Sequence, residues 1–494
     1  MLSVENESIK SSRGKSYSLF ISLLFFASGF ILSNEGYELS IVRFVNNACR
    51  ITLDEHFRSV GLSYVSTFLL LSGIISLLYF FRLKNVLNKN QFFITAFCLV
   101  VFHYFYYLVL NAANYPVYDD QGAILNFLLK YSNATSVSEK ISLIVAPYNE
   151  SIMLFPKLFV LCWLKIFGSV NFKYLILFNG LLLLSLFAVL FFKLFRDKKL
   201  QFLALTVFVL QFQYFDDAFW AISGLCYYGA LLFVALSFYF LQKEKSRSTF
   251  IALTCSVLAS FTFGNGWISF LICICFLIFK KRYRELWWWT VAFVFVSIGF
   301  FFLRSQVHLL TTVDWNPLDN IMFIIILLGS AFQFFYTAHI PIVIGTFIVT
   351  SYIFLVVKKQ YKISPERFLM LTFILLSVLM AAPLRSGLES YGLYGLRVRY
   401  GIFSILAFTL TVSLLADYAG ENKRFLTFLV VSPFIYNALT GFFFYPEQVI
   451  RREKIETIVE GIRENKFDVG YSTFRKDDIE FLLRESIKKG IYRP

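Results

Sequence analysis

Charge is scarce in this chain. Asp, Glu, Lys and Arg together supply 16% of its 494 residues, against 58% apolar residues and a mean hydropathy of +0.67. That balance lies far outside the soluble globular range and excludes a water-soluble enzyme or binding module. Cysteine outside apolar surroundings is scarcer still. Cys98, Cys162, Cys226, Cys255, Cys273 and Cys275 fall inside apolar runs and only Cys49 sits in a polar loop, so no disulfide framework is implied. Cys273-Ile-Cys275 lacks both the spacing and the histidine companions of a zinc site and reads as packing. There is no convincing internal repeat, which disfavours transporter folds built from duplicated halves. No small-residue cleavage site follows the apolar stretch after Lys10, Arg13 and Lys15, so that stretch reads as an uncleaved first span.

What the chain does have is a succession of apolar runs, each roughly 15–22 residues long, which in lipid must be helices because every backbone polar group has to be satisfied within its own segment. The expected fold is therefore an all-α polytopic membrane protein with about 13 transmembrane helices. Spans are expected near 17–33, 63–82, 92–110, 174–194, 200–214, 221–241, 249–263, 266–279, 286–302, 341–357, 367–383, 401–417 and 425–444. Extracytoplasmic interfacial or re-entrant helices complete it: one after Asp120, one over 152–167, and the apolar stretch 320–337. Three domains follow: a membrane hairpin over 1–90, a catalytic membrane module over 91–445 with a large loop at 111–173, and a small soluble helical tail over 446–494. In that tail Ile450, Ile455, Ile458, Val459 and Ile462 recur at helical spacing.

The net charge of +15 does not point to nucleic acid, because the basic residues sit in compact loops between spans. Arg82/Lys84/Lys89, Arg196/Lys198/Lys199, Lys243/Lys245/Arg247, Lys280/Lys281/Arg282/Arg284, Lys358/Lys359/Lys362 and Lys423/Arg424 all fall on the cytoplasmic side of one self-consistent threading. The same threading puts four polar clusters on the opposite side. These are Asp119/Asp120, Asn149/Glu150 followed by Lys157, Asp216/Asp217, and Arg385 with Arg397, Arg399 and Tyr400.

Carboxylates facing guanidinium groups at one membrane surface suit an acid–base centre beside an anion site. Blander roles stand beside each. Asp120 is placed to cap the helix that follows it, and Asp216/Asp217 to cap the span after them. Arg397 and Arg399 could hold lipid headgroups. Glu150 could pair with Lys157, and His103 reads as a packing residue inside its span. Gly264-Asn265-Gly266-Trp267 permits a tight reversal between two short apolar runs, and Trp287-Trp288-Trp289 reads as an interfacial anchor.

Taken in order, these residues resemble the polytopic glycosyltransferases of the GT-C type, especially the serotype-converting glucosyltransferases that modify bacterial O-antigen. The resemblance covers roughly residues 92–445. It rests on Asp119-Asp120 in a large loop, Asn149-Glu150 with Lys157 soon after, and Phe167-Gly168 before the next span. It continues through Gln213-Tyr214 with Asp216, Asp217 and Trp220, then Ser260-Phe-Thr-Phe-Gly-Asn-Gly-Trp267, and Arg399-Tyr400 opening a late span.

The resemblance implies a multi-pass enzyme of the bacterial inner membrane with its active site facing the periplasm. It would move a sugar, glucose above all, from undecaprenyl phosphate to O-antigen or another lipid-linked glycan, with inversion. Asp119 or Asp120 would be the general base, assisted by Glu150, while Asn149, Asp216 and Asp217 would contribute to substrate binding. Arg385, Arg397, Arg399 and Tyr400, with Lys157, would hold the carrier phosphate. No metal is expected to be obligatory, although the carboxylate pair could recruit Mg²⁺ or Mn²⁺. Expected partners are the lipid-linked donor and acceptor, membrane lipids, a companion flippase and a sugar-phosphate polyprenyl synthase, and no nucleic acid. The acidic pair follows the third span rather than the first, and Lys157 stands where the family has arginine. The rival readings are an O-antigen polymerase or ligase and a flippase or transporter.

Overall fold

The computed structural model describes residues 18–33, 55–149, 151–304, 316–334, 338–386, 400–420, 422–467, 470–472 and 475–494. These form helices joined by short turns, with two isolated bridges, Tyr148 to Ser151 and Val170 to Tyr492, as the extended pairings outside named strands. Among the described residues nine helices are long and apolar enough to cross a membrane. They are Arg58–Leu83, Lys89–Asn111, Phe172–Asp197, Ala221–Leu241, Tyr283–Leu303, His339–Val357, Pro365–Arg385, Gly401–Ala419 and Arg424–Arg463. Four further apolar helices among the described residues are shorter: Ser18–Leu32, Lys199–Val209, Gly264–Phe279 and Pro317–Phe332.

Contacts group the chain along lines other than composition does. One compact unit comprises Met1–Asn111, Lys193–Gln213 and Glu421–Arg451, and the other Ala112–Phe192, Tyr214–Gly420 and Arg452–Pro494. In the first, Ser18–Leu32 and Glu55–Leu83 pair antiparallel. Ser18 Oγ donates to Ser76 O at 3.0 Å and Ser66 Oγ to Gly29 O at 2.7 Å. Small residues at such contacts let two backbones approach closely. Deeper in this unit Tyr64 OH donates to Asn437 Oδ1 at 2.9 Å, and Asn437 Nδ2 donates to the carbonyls of Val207 and Leu210 at 2.8 and 3.0 Å. The rings of Tyr64, Phe68 and Tyr107 surround His103 at 5.0–5.5 Å, while its buried Nε2 has no hydrogen-bond partner. His103 is thus a packing residue, held by aromatic edges rather than by hydrogen bonds.

The second unit is organised around Ala221–Leu241. A helix that is apolar on all faces belongs inside a bundle, and 83% of its most apolar window is buried, against 17% for Tyr283–Leu303 at the rim. Ser246–Thr262 packs along it, as do Leu154–Phe167 and Pro365–Arg385. Of the tryptophan triplet that opens Tyr283–Arg304, Trp287 and Trp288 are exposed and Trp289 is fully buried.

At the carboxyl end of Ala221–Leu241, Arg282 donates to Leu241 O at 2.6 Å and to Thr249 Oγ1 at 2.9 Å, which joins the basic loops 243–247 and 280–284. The amino end, one helix length or roughly 30 Å away, receives Asp120. Within this unit the basic loops and the acidic pair therefore occupy opposite ends.

Pro317–Gly329 packs against His339–Val357 at van der Waals range of the two backbones. A Cβ at Gly345 would lie 1.8 Å from Ile325 O, and one at Gly329 would lie 1.9 Å from Pro341 O. Backbone cannot retreat as a side chain can. Gly345→Val is accordingly expected to destabilise the protein by at least the ~1–3 kcal/mol typical of overpacking, read as a lower thermal midpoint in detergent; an unchanged midpoint would refute the close approach.

Composition suggests a separate appendage beginning at 446, but the helix Lys423–Arg463 runs through both Pro433 and Pro446. The helix Lys476–Lys488 then buries Ile479, Leu482 and Leu483. The end of the chain packs on the loop that carries the acidic pair.

Candidate functional site at the acidic-pair loop

The helix Lys89–Asn111 ends one turn before the loop, and Tyr115, Pro116 and Val117 bury themselves ahead of the doublet. Tyr118 adopts a left-handed backbone, φ 48°, which costs a non-glycine residue and recurs at functional sites. Its N–H donates to Tyr471 O at 2.7 Å. A π-helix, Gln121–Asn126, follows directly, and such widened turns also cluster at functional sites.

The two aspartates differ in surroundings. Asp120 is 1% exposed, and both its oxygens accept backbone N–H groups: Ile222 donates to Oδ1 at 2.7 Å and Val117 to Oδ2 at 3.2 Å. It makes no side-chain cap on the helix that follows it. It caps Ala221–Leu241 instead, across about a hundred residues of sequence, at the amino end where unpaired N–H groups and the helix dipole favour negative charge. The local-cap expectation is corrected in this respect: the cap exists, on a different helix.

Asp119 is half-buried, and its Oδ1 accepts a hydrogen bond from Tyr148 OH at 3.3 Å. Asp217 joins Asp120 at the start of the same helix, fully buried, with Ser223 Oγ donating to its Oδ1 at 2.8 Å. Asp216, on the same short helix Phe215–Phe219, is half-buried.

Tyr148 and Ser151 exchange backbone hydrogen bonds at 2.8 and 3.2 Å, with Asn149 in the turn that follows Tyr148. Asn149 is exposed and left-handed, φ 50°, a conformation that asparagine tolerates better than most residues. Glu150 lies outside the described residues, as do Arg397 and Arg399.

Ser151 lines a cavity of about 130 Å³ together with Asn265, Arg385 and Tyr400 on its polar side and Trp267 and Phe300 among its apolar walls. That is smaller than the roughly 300–1,000 Å³ of a drug-sized pocket. Gly266 belongs to the tight reversal that shapes this wall, since a Cβ there would lie 2.2 Å from the backbone of Ala259. Tyr227 of the central helix meets both Phe263 and Tyr400, with ring centroids 4.7 and 5.8 Å apart.

Lys157 does not join this group in the manner expected of a phosphate ligand. It is 4% exposed, and its Nζ donates to the carbonyls of Leu143 at 3.2 Å, Ile144 at 3.3 Å and Ala146. These end the helix Val137–Val145, where a cation favours the negative end of the dipole. Burial pushes its ammonium down to about 8, and its three donors are engaged.

Of the expected site residues, Arg385 and Tyr400 line the cavity with Ser151, and Asp119 is linked to Ser151 through Tyr148, with Asn149 next to it in the chain. It places Asp120 and Asp217 at a helix terminus. Tyr148, Ser151 and Asn265 were not singled out as site residues from sequence, nor were Tyr471, Ser472 and Tyr492 of the chain's last segment. Polar tyrosines in a long loop carry no periodic signal. Among the described residues no group of three or more His, Cys, Asp or Glu side chains could hold a metal ion. Compared with known proteins, the chain matches no family model, no curated protein and no solved structure.

Proposed function

We propose that this protein is a membrane glycosyltransferase that moves a sugar from a polyprenyl-phosphate carrier to a hydroxyl of a lipid-linked glycan. The observation that carries this reading is the short path from acid to anion site. Asp119 is bonded to Tyr148, Tyr148 is paired with Ser151, and Ser151 lines the cavity with Arg385 and Tyr400. The resemblance to GT-C enzymes supports the same reading, and a serotype-converting glucosyltransferase acting on O-antigen is its most specific form.

In this mechanism Asp119 takes the proton of the acceptor hydroxyl as its oxygen attacks the anomeric carbon from the face opposite the phosphate. The carbon–oxygen bond to phosphate breaks with its electron pair, leaving polyprenyl phosphate, and the anomeric configuration inverts. Arg385 meets the charge that develops on the departing phosphate, with Tyr400 beside it and Arg397 and Arg399 close by in sequence. Asp120 and Asp217 hold the scaffold rather than the proton. A monophosphate leaving group can be served by fixed guanidinium charge, so no metal is required.

The accompanying topology has about thirteen crossings, a re-entrant or surface-lying stretch over 320–337, and the site on the periplasmic side of the inner membrane. A polyprenyl-phosphate sugar synthase and a flippase would supply the donor.

Purified protein in nanodiscs, given labelled polyprenyl-phosphate glucose and a lipid-linked acceptor, is expected to transfer label to the acceptor. Arg385→Ala should lower kcat/KM for the donor by about 10–100-fold, the worth of one charged hydrogen bond. No transfer from any polyprenyl-phosphate sugar, or wild-type kinetics in Arg385→Ala, would sink this reading.

A further inference from the structure

We infer that residues 470–472 and 475–494 form a clamp that sets the position of Asp119, with Tyr471, Ser472 and Tyr492 as positioning residues. Its catalytic consequence rests on the sugar-transfer reading, whereas its structural part does not. The segment grips the acidic loop on both sides of the doublet. Immediately before it, the Tyr118 N–H donates to Tyr471 O at 2.7 Å. Immediately after it, Ser472 Oγ donates to Gln121 Oε1 at 2.8 Å. Further back, Tyr115 OH donates to Gly470 O at 3.1 Å, and the Tyr492 phenol, fully buried, donates to Asn114 O at 2.7 Å. Asn114 in turn donates through Nδ2 to Arg493 O at 2.7 Å and accepts from the Phe172 N–H at 2.9 Å.

Two left-handed tyrosines face each other at the centre of the clamp. Tyr118 has φ 48° and Tyr471 φ 53°, and their rings meet edge-on at 5.9 Å. Strained backbone of this kind persists only where its surroundings over-determine it. Asp120 is independently fixed to the central helix through Ile222. With residues 118, 120 and 121 all tied, Asp119 between them is held where its Oδ1 accepts from Tyr148 OH. A base has to sit within hydrogen-bond reach of the proton it takes, and a displacement of about 1 Å can cost about 10²-fold in rate. Anchoring both flanks is the arrangement that chemistry needs.

Deleting the segment risks general unfolding, so the test uses two conservative variants in the full-length protein, Ser472→Ala and Tyr492→Phe. Amide hydrogen exchange by mass spectrometry in detergent is expected to speed up by about tenfold or more over 114–122, with little change elsewhere and a thermal midpoint near wild type. Turnover is expected to fall by up to about 10²-fold at unchanged KM for the donor, and Ser472→Thr, which restores the hydroxyl, should recover it. Unchanged exchange over 114–122 overturns the clamp. Faster exchange with wild-type turnover overturns the positioning role, as does a uniform rise in exchange across the protein. The exchange comparison needs no substrate, so it decides the clamp even if wild-type protein transfers no sugar, a result that would overturn only the reading of function.

Discussion

Asp119→Asn is expected to lower the rate of sugar transfer by roughly 10²–10⁴-fold, the usual worth of a positioned general base, with thermal stability close to wild type. Asparagine keeps the shape and one acceptor oxygen, so the hydrogen bond from Tyr148 OH, 3.3 Å in the native protein, is retained. What it loses is the capacity to take a proton. The measurement is single-turnover transfer of labelled sugar by the purified variant, with the melting curve as control. A variant that transfers at the wild-type rate would remove Asp119 from the chemistry and favour a polymerase or ligase that relies on arginine-rich loops.

Asp120→Ala is expected to do the opposite: to destabilise the fold by about 3 kcal/mol, since it strands the N–H groups of Ile222 and Val117 in a dry interior. The protein that remains folded should turn over at nearly the wild-type rate per active molecule. Asp120→Asn should be milder but still harmful. Its amide keeps an acceptor for one N–H but presents its own donors to the other. Thermal denaturation in detergent, read alongside activity normalised to folded protein, separates the two aspartates. Should Asp120→Ala melt like wild type yet lose transfer outright, the assignment of structural and chemical roles would have to be exchanged.

Much of the architecture was legible in the sequence because lipid leaves so few options. A run such as Ala221–Leu241 or His339–Val357 can only be a helix there, and both stand within two residues of the expected span. The reversal at Gly264–Trp267 was equally readable, since the close approach of Gly266 to Ala259 is a demand that only glycine meets. The site was partly legible. Basic loops, which fix how spans run in a threading, led to the expectation that Asp119, Asn149, Arg385 and Tyr400 share one surface, and Arg385 and Tyr400 do line one cavity.

Three things were not legible. Asp120 caps a helix that begins 101 positions after it, which no local capping rule can anticipate. Lys157 looked like a phosphate ligand because its chain neighbours are Asn149 and Glu150, whereas its ammonium instead meets carbonyls at the end of Val137–Val145. The bond from Ser472 to Gln121 joins residues 351 positions apart, and the composition of the tail, charged with helical periodicity, pointed to an independent appendage.

That last separation has a consequence for biogenesis. A ribosome adding on the order of 5–20 residues per second takes tens of seconds to travel from Gln121 to Ser472. Throughout that interval the acidic loop exists without its latch, so a nascent chain cannot anchor the flanks of Asp119 until its distal portion has been made.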